Sequence, residues 1–195
     1  VVAAVLFGAS TPLAKLLVSD VSPVLLGGLL YLGSGVGLGL FRMVRDKGWK
    51  ASGLQVGEWP WLLGAIFFGG VLAPVALMYG LTTASGSVAS LMLNLESVLT
   101  AVLAWVVFKE NADRRIVLGM LAIVAGGAVL SWQPGGAGSS SLIGLAAIAI
   151  ACLCWAIDNN LTRKVSASDS VFIASSKGLL AGLVNCAVAL GMGAS

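Results

Sequence analysis

Long apolar runs follow one another along this chain, separated by short polar gaps. They cover residues 1–18, 23–41, 59–82, 84–108, 113–132, 142–162 and 169–194. Each run reaches or approaches the ~20 residues that a helix needs to cross a hydrocarbon layer roughly 30 Å thick. Alternation of the kind seen in membrane strands is absent from the sequence. The pattern predicts an all-α integral membrane protein with about seven transmembrane helices.

Lysine and arginine occur in alternate gaps between these runs. The gaps after runs two, four and six hold nine of the 11 basic residues, whereas the gaps after runs one, three and five hold none. This is the positive-inside pattern of a multi-pass membrane protein. We therefore expect the even-numbered gaps and the N-terminus to face the cytoplasm. The nine bases are Arg42, Arg45, Lys47, Lys50, Lys109, Arg114, Arg115, Arg163 and Lys164.

Composition agrees with a chain whose main partner is the lipid bilayer. Hydrophobic residues make up 58% of it and charged residues 10%, with a mean hydropathy of +1.02. A soluble domain of this size needs more polar surface than that. The net charge of +3 is explained by the basic residues of the cytoplasmic gaps, so we assign no nucleic-acid partner.

Cys152, Cys154 and Cys186 lie inside apolar runs with no histidine to complete a metal site, so we expect no metal and no cofactor.

The two ends of the sequence predict a fragment. The chain begins at Val1 already in apolar sequence, without an initiating methionine, a basic region or a cleavage site that would indicate a signal peptide. At the other end, Ser195 stops at or just short of the end of an apolar run.

Proline and glycine mark irregular and closely packed helices. Pro12 and Pro74 lie near the middle of runs one and three, where each should kink its helix and free a backbone carbonyl one turn earlier. Each kink could belong to a functional site, or the proline could merely shape the packing of its helix. Run two contains glycines at alternate positions over residues 33–39, which predicts close approach of a neighbouring helix.

The polar stretch 133–141 follows five runs and is rich in glycine and serine. It predicts a flexible extracytoplasmic linker between a first five-helix unit, residues 1–132, and the start of a second, residues 142–195. A shift that lays Lys15 on Arg163 also lays Phe7 on Trp155 and Leu13 on Leu161. Because a unit of five helices is odd, the second copy must be inverted in the membrane. Inverted repeats are common in secondary transporters, whose sites lie near the midplane.

Ionisable residues inside apolar runs are the strongest site candidates, because a charge in the bilayer is costly. Glu96 lies about midway along run four with Asn94 nearby, and Thr100 shares its helix face. Its carboxylate could take up a proton, bind a cationic substrate or pair with Lys177. Alternatively, Glu96 is a protonated carboxyl that hydrogen bonds between helices.

The segment Asp158-Asn159-Asn160 is the most polar patch within a run and follows Trp155. These side chains cannot all point in one direction, so at least one should face another helix or a cavity. Equally, Asp158 could lie at the cytoplasmic interface and pair with a base. In the repeat alignment the counterpart of this patch contains Thr11.

Two further residues complete the predicted set. Lys177 lies about a third of the way along run seven, where it either extends to the cytoplasmic surface or binds an anionic group of a substrate. Tyr79 could line a cavity or anchor its helix at the membrane interface. No phosphate-binding loop, Ser-x-x-Lys or Gly-x-Ser-x-Gly motif is present, so we expect no enzyme.

A resemblance to a known family begins in run four. The stretch LNLESVLTAVLAWVVFKENADRRIVLGMLAIVAGGAVL resembles the end of the first half of EamA-type transporters of the drug/metabolite transporter superfamily. Glu96 and Glu110 match glutamates of the family pattern, while Ser97 replaces its usual proline. The stretch CWAIDNNLTRKVSASD is similar to the opening of the second half. The matching glycines are Gly119, Gly126 and Gly127.

The resemblance implies ten helices in two inverted halves with both termini cytoplasmic, of which about seven are present here. It implies a secondary transporter of the bacterial-type inner membrane that moves a small metabolite, such as an amino acid, by alternating access. Export is weakly favoured, and a proton or ion gradient as driving force and pairing with a second copy are left open. A non-transporting membrane scaffold is the main alternative, and an intramembrane enzyme that uses Glu96 and Asp158 is a lesser one.

Overall fold

The computed structural model describes residues 22–48, 50–84, 86–111, 113–131 and 141–194. All regular structure in these ranges is helical, and they contain no strand. The α-helices in chain order are α1 (Pro23–Arg45), α2 (Trp59–Ala65), α3 (Ala73–Leu81), α4 (Gly86–Leu93), α5 (Leu95–Val106), α6 (Arg114–Ser131), α7 (Leu142–Lys164) and α8 (Ser170–Gly191).

Continuous helical stretches of membrane-spanning length are found in four places within the described ranges. They are Val24–Arg45, Val56–Leu81, Leu142–Lys164 and Ser170–Gly191, each apolar and long enough to cross a bilayer. The prediction of an all-helical protein with apolar helices of membrane-spanning length is therefore confirmed for the described residues. The first predicted span, 1–18, and the linker up to residue 140 lie outside the described residues. The total of seven spans and the inverted repeat stay predictions.

Helix boundaries follow local capping signals in the sequence. The hydroxyl of Ser22 accepts a hydrogen bond from the backbone N–H of Leu25 at 3.2 Å, and Pro23 occupies the first helical position of α1. The hydroxyl of Ser141 accepts likewise from the N–H of Ile143 at 3.2 Å and begins α7. Both helices end in basic residues, which favour the negative end of the helix dipole.

A π-helix joins α2 to α3 and spans Ile66–Leu72. At its end the N–H of Ala73 donates to the carbonyl of Phe68, five residues back. The next residue, Pro74, has no N–H, so it cannot bond the Gly69 carbonyl in the same register. A side chain of α7 donates to the Gly69 carbonyl.

Run four, expected to be one helix over residues 84–108, is divided at Asn94 into α4 and α5. The backbone N–H and the side-chain Nδ2 of Asn94 both donate to the carbonyl of Leu91, each at 3.2 Å. In a regular α-helix that carbonyl would accept from Leu95 instead. The local side-chain bond of asparagine competes with the helical pattern, which accounts for the break.

The chain forms two compact units. One contains residues 1–50 and 171–195, and its described part is the pair α1 and α8. Glycines make that pair close: a Cβ added at Gly178 would meet the Cα of Gly35 at 2.7 Å, and the hydroxyl of Ser175 donates to the Gly35 carbonyl at 3.1 Å. The glycine pattern of run two predicted such an approach.

The other unit contains residues 51–170 and is arranged around α7. Helix α7 packs against α2, the π-helix, α3, α4 and α5. Its inner face is small and tightly packed, with Ile148 and Cys152 fully buried and Cys154 nearly so. Large apolar side chains elsewhere in this unit are exposed, as lipid-facing residues are in membrane proteins. Helix α7 thereby sets the positions of the polar residues in its last turns.

Candidate functional site

Polar side chains at the end of α7 reach the neighbouring helix α5. The Nδ2 group of Asn159 donates to Oε1 of Glu96 at 3.0 Å and lies 3.4 Å from the hydroxyl of Thr100. The Nδ2 group of Asn160 donates to the backbone carbonyls of Thr100, at 3.1 Å, and Ala156, at 2.9 Å. Glu96 and Thr100 are four residues apart and share a face of α5. Two predicted site residues, Glu96 and Asn159, are therefore in direct contact.

A second contact joins α7 to the π-helix. The indole Nε1–H of Trp155 donates to the carbonyl of Gly69, in the π-helix just before Pro74, at 3.1 Å. Gly69 also packs directly on the carboxyl group of Asp158, so closely that any Cβ at this position would overlap it. Asp158 is 8% exposed and accepts a hydrogen bond from Thr162 at 2.8 Å. Trp155 and Asp158 thus fix the irregular segment of the second spanning stretch.

A cavity of about 480 Å³ lies between α5, α6 and the end of α7. Helix α5 contributes three pairs of adjacent residues, and each pair lies four residues after the previous one. These pairs form a continuous stripe along the helix. Helix α6 contributes Ile116, Val117 and Met120, and the connection between α5 and α6 contributes Glu110 and Asn111. The α5 and α7 lining residues are Glu96, Ser97, Thr100, Ala101, Ala104, Trp105, Asn159, Asn160 and Arg163.

An ion pair lies at the same cavity. The guanidinium of Arg163 at the end of α7 pairs with the carboxylate of Glu110 in the connection between α5 and α6. Sequence reasoning assigned Glu110 only to a family pattern and Arg163 only to topology. Their placement in gaps predicted to face the same side of the membrane was a signal for this pair. Thr100 was likewise noted only as a neighbour of Glu96, and its i+4 spacing was the signal.

The other predicted site residues lie elsewhere. Asn94 is exposed at the break between α4 and α5, and it does not line the cavity. Tyr79 is 58% exposed and lines a separate apolar cavity of about 490 Å³ against α7. Lys177 belongs to α8 in the other compact unit, and its role stays a prediction. Thr11 lies outside the described residues.

No cluster of three or more metal-ligating side chains is present among the described residues. The site chemistry consists of the Glu96 carboxylate, which accepts a hydrogen bond from the amide of Asn159, together with the ion pair of Glu110 and Arg163. Such a set can bind and orient a small polar molecule.

These features define a class: a multi-pass helical membrane protein whose polar groups meet beside an irregular helix. Comparison with known proteins defines the family. Residues 1–132 match the EamA-like transporter family, and the chain belongs to it. The resemblance noted from the sequence is confirmed, and the chain is a transmembrane protein of a transport family.

Two further similarities agree with this assignment. A protein of Methanothermobacter thermautotrophicus described as an uncharacterized transporter is 26% identical over 209 residues, which cover 99% of this chain and 60% of that protein. A solved crystal structure matches with a TM-score of 0.74 and 21% identity, over 96% of this chain and 64% of the other. The second match shows the fold alone. The chain spans about 60% of the length of its curated relative.

Proposed function

We propose that this chain supplies part of the substrate path of a secondary transporter for a small metabolite, such as an amino acid or a related compound. The observation that carries the proposal is the contact between Glu96 of α5 and Asn159 of α7 at the wall of a cavity. Intramembrane carboxylates are rare and usually mark substrate or ion pathways. The cavity volume of about 480 Å³ suits a small metabolite.

The mechanism we propose is alternating access, with a site between two inverted five-helix halves. The π-helix before Pro74 supports it, because irregular helices commonly surround transporter sites. In this proposal Glu96, Asn159 and Asn160 contact the substrate. Trp155 and Asp158 position the π-helix, and Asn94 permits movement of α4 relative to α5. Lys177, Thr11 and Tyr79 are proposed to line the path of the complete transporter.

The remaining parts of the proposal concern the membrane. We propose a cytoplasmic N-terminus on the strength of the alternating basic gaps. Ten helices in the complete protein and a bacterial-type inner membrane are proposed from the family resemblance. Export is favoured over import.

The test is transport by the longest natural reading frame that contains this sequence, purified and reconstituted in proteoliposomes. A panel of labelled amino acids, amines and other small metabolites is offered to the wild type, Glu96→Gln and Glu58→Gln. Glu58 precedes α2 outside the cavity, so it provides the same chemical change as a control. We expect transport by the wild type and Glu58→Gln, with about tenfold or greater loss in Glu96→Gln. Equal transport by all variants would remove Glu96 from the path.

Thiol labelling tests whether the cavity contains water in the membrane. With the native cysteines replaced, Asn159→Cys should react with a membrane-impermeant thiol reagent, and a transported substrate should slow the reaction. Ile148→Cys is the matched control on the same helix, because Ile148 is fully buried. An unreactive Asn159→Cys in a folded protein would favour a dry scaffold over a transporter.

A further inference from the structure

The charges that line the cavity do not balance. Among its described lining residues, the ionisable groups are the carboxylates of Glu96 and Glu110 and the guanidinium of Arg163. Glu110 and Arg163 neutralise each other in an ion pair. Counted by formal charge, the lining therefore holds one carboxylate in excess, that of Glu96. Because the cavity lies beside membrane-spanning helices, an unbalanced charge there favours a ligand of opposite sign.

The hydrogen bonds of Glu96 leave room for such a ligand. Asn159 donates to Oε1 from a neutral amide, which orients the carboxylate without cancelling its charge. A carboxylate offers about four acceptor positions, and the amide uses one. The hydroxyl oxygen of Thr100 lies on the same stripe of α5, 3.4 Å from that amide nitrogen. An ammonium group carries three N–H donors and could bond to both acceptors.

The rest of the cavity is mainly apolar, with Ser97 and Asn111 as further polar lining residues. It is formed by small side chains on α5 and larger ones on α6, and Trp105 stands at one side. A ligand body in this part gains from leaving water, at roughly 25 cal/mol for each Å² of apolar surface buried. A carboxylate on the ligand would gain little, because Arg163 is already paired with Glu110 and Glu96 would repel it. The apolar lining residues are Ala101, Ala104, Trp105, Ile116, Val117 and Met120.

We propose that the cavity binds compounds that carry one net positive charge on an ammonium group attached to an apolar body, in preference to zwitterions and anions of the same size. The ammonium bonds to Glu96 and Thr100, and the apolar body contacts α6 and Trp105. Amines related to amino acids belong to this class. The inference rests on the proposed function, since it names the substrate class of the same site.

The test compares four ligands that share a phenyl group and differ in charge: phenethylammonium, phenylalanine, phenethyl alcohol and phenylacetate. Their equilibrium binding is measured by calorimetry on the longest natural reading frame in nanodiscs. We expect phenethylammonium to bind about tenfold or more tightly than each of the other three, because it alone forms a charge-assisted bond without repulsion. In Glu96→Gln this preference over the alcohol should disappear, whereas Glu96→Asp and Glu58→Gln should retain it.

The contrary results are distinct. Equal or tighter binding of phenylalanine, binding of none of the four, or a preference that survives Glu96→Gln would overturn the inference. Size-exclusion profiles and the retained preference of Glu96→Asp guard against misfolding. Transport of zwitterions without any preference for the ammonium compound would leave the proposed function standing and refute its charge selectivity. The expected preference without transport of any compound would retain the site and refute the transporter.

Discussion

The pair α1 and α8 and the pair α5 and α7 are held together by different means. Between α1 and α8 the backbones themselves touch, since a Cβ added at Gly35 would meet the backbone carbon of Gly178 at 2.7 Å. Between α5 and α7 the contact is made by amide side chains, with Asn159 on Glu96 and Asn160 on a backbone carbonyl. One interface rests on backbone contact between glycines, with the Ser175 hydroxyl bonded across it, and the other rests on polar side chains.

The difference lies in what holds each pair of helices together. Glycine lets helices approach in lipid, where dispersion and packing provide the association energy, and it needs no buried polar group. The α5–α7 interface instead contains a carboxylate and two amides. Such groups are costly in a membrane, and glycine packing could hold two helices together without them. In our proposal these polar groups serve the cavity that they line. The two interfaces should therefore respond differently to substitution.

The largest expected effect is the loss of close packing in Gly35→Ala. The added methyl group would meet backbone atoms of Gly178 and Leu179, which cannot move aside without separating the helices. We expect a destabilisation of about 3 kcal/mol. Gly37→Ala, two residues away on α1, is the matched control, because a Cβ there meets nothing within 4 Å. It should be neutral or stabilise by up to about 1 kcal/mol, since alanine favours helix.

Thermal unfolding in detergent, followed by size exclusion, measures both variants. A similar loss of stability in Gly35→Ala and Gly37→Ala would mean that close backbone contact does not hold the pair. Binding and transport by the folded fraction of Gly35→Ala should match the wild type, as expected of a purely structural contact.

A smaller effect is expected for Gly69→Ala on the π-helix. Its methyl group would overlap the carboxyl group of Asp158, which is a side chain and can partly rotate away. We expect about 2 kcal/mol of destabilisation and reduced transport, since the π-helix would be displaced. Asp158→Gly in the same chain removes the overlapping atoms and should restore part of the stability. Independent, additive losses in this double variant would contradict direct packing of the two residues.

The sequence predicted the close helix pair and two of the site residues, but it did not predict the contacts between helices. Glycine spacing over residues 33–39 predicted a close helix pair, and intramembrane polarity selected Glu96 and Asn159. Periodicity within one helix shows which residues share a face. It does not show how that helix is aligned along its neighbour. The bond from Trp155 to Gly69 and the pairing of Arg163 with Glu110 depend on that alignment. They therefore required the structure.

The break at Asn94 was missed for a different reason. Apolar character runs through residues 84–108 without interruption, and hydropathy therefore predicts one helix. The interruption arises from one local hydrogen bond, in which Nδ2 of Asn94 competes for the Leu91 carbonyl. Asparagine within an apolar run was the available signal.

The contact between Trp155 and the π-helix should have a moderate effect. Trp155→Phe keeps an aromatic ring but removes the N–H that donates to the Gly69 carbonyl at 3.1 Å. A buried carbonyl left without this donor should cost about 1–3 kcal/mol. Trp105→Phe is the control for loss of an indole, because Trp105 is 56% exposed and should change stability by less. Equal unfolding temperatures for the two variants would show that the bond to Gly69 does not stabilise the π-helix.

The smallest effect is expected just beyond α1, where Arg45 donates two hydrogen bonds to the carboxylate of Asp46, at 2.8 and 3.1 Å. This hydrogen bonding, aided by the positive charges of Arg45, Lys50 and Arg42, lowers the pKa of Asp46 from its ordinary value of 3.8. A carboxylate whose pKa is lowered on folding stabilises the protein above its unfolded pKa, and the contribution is lost as pH falls through the folded pKa. The stability difference between wild type and Asp46→Asn should thus be small and constant near neutral pH, and it should shrink below about pH 4. A difference that grows on acidification, measured by unfolding at pH 3 to 7, would contradict this assignment.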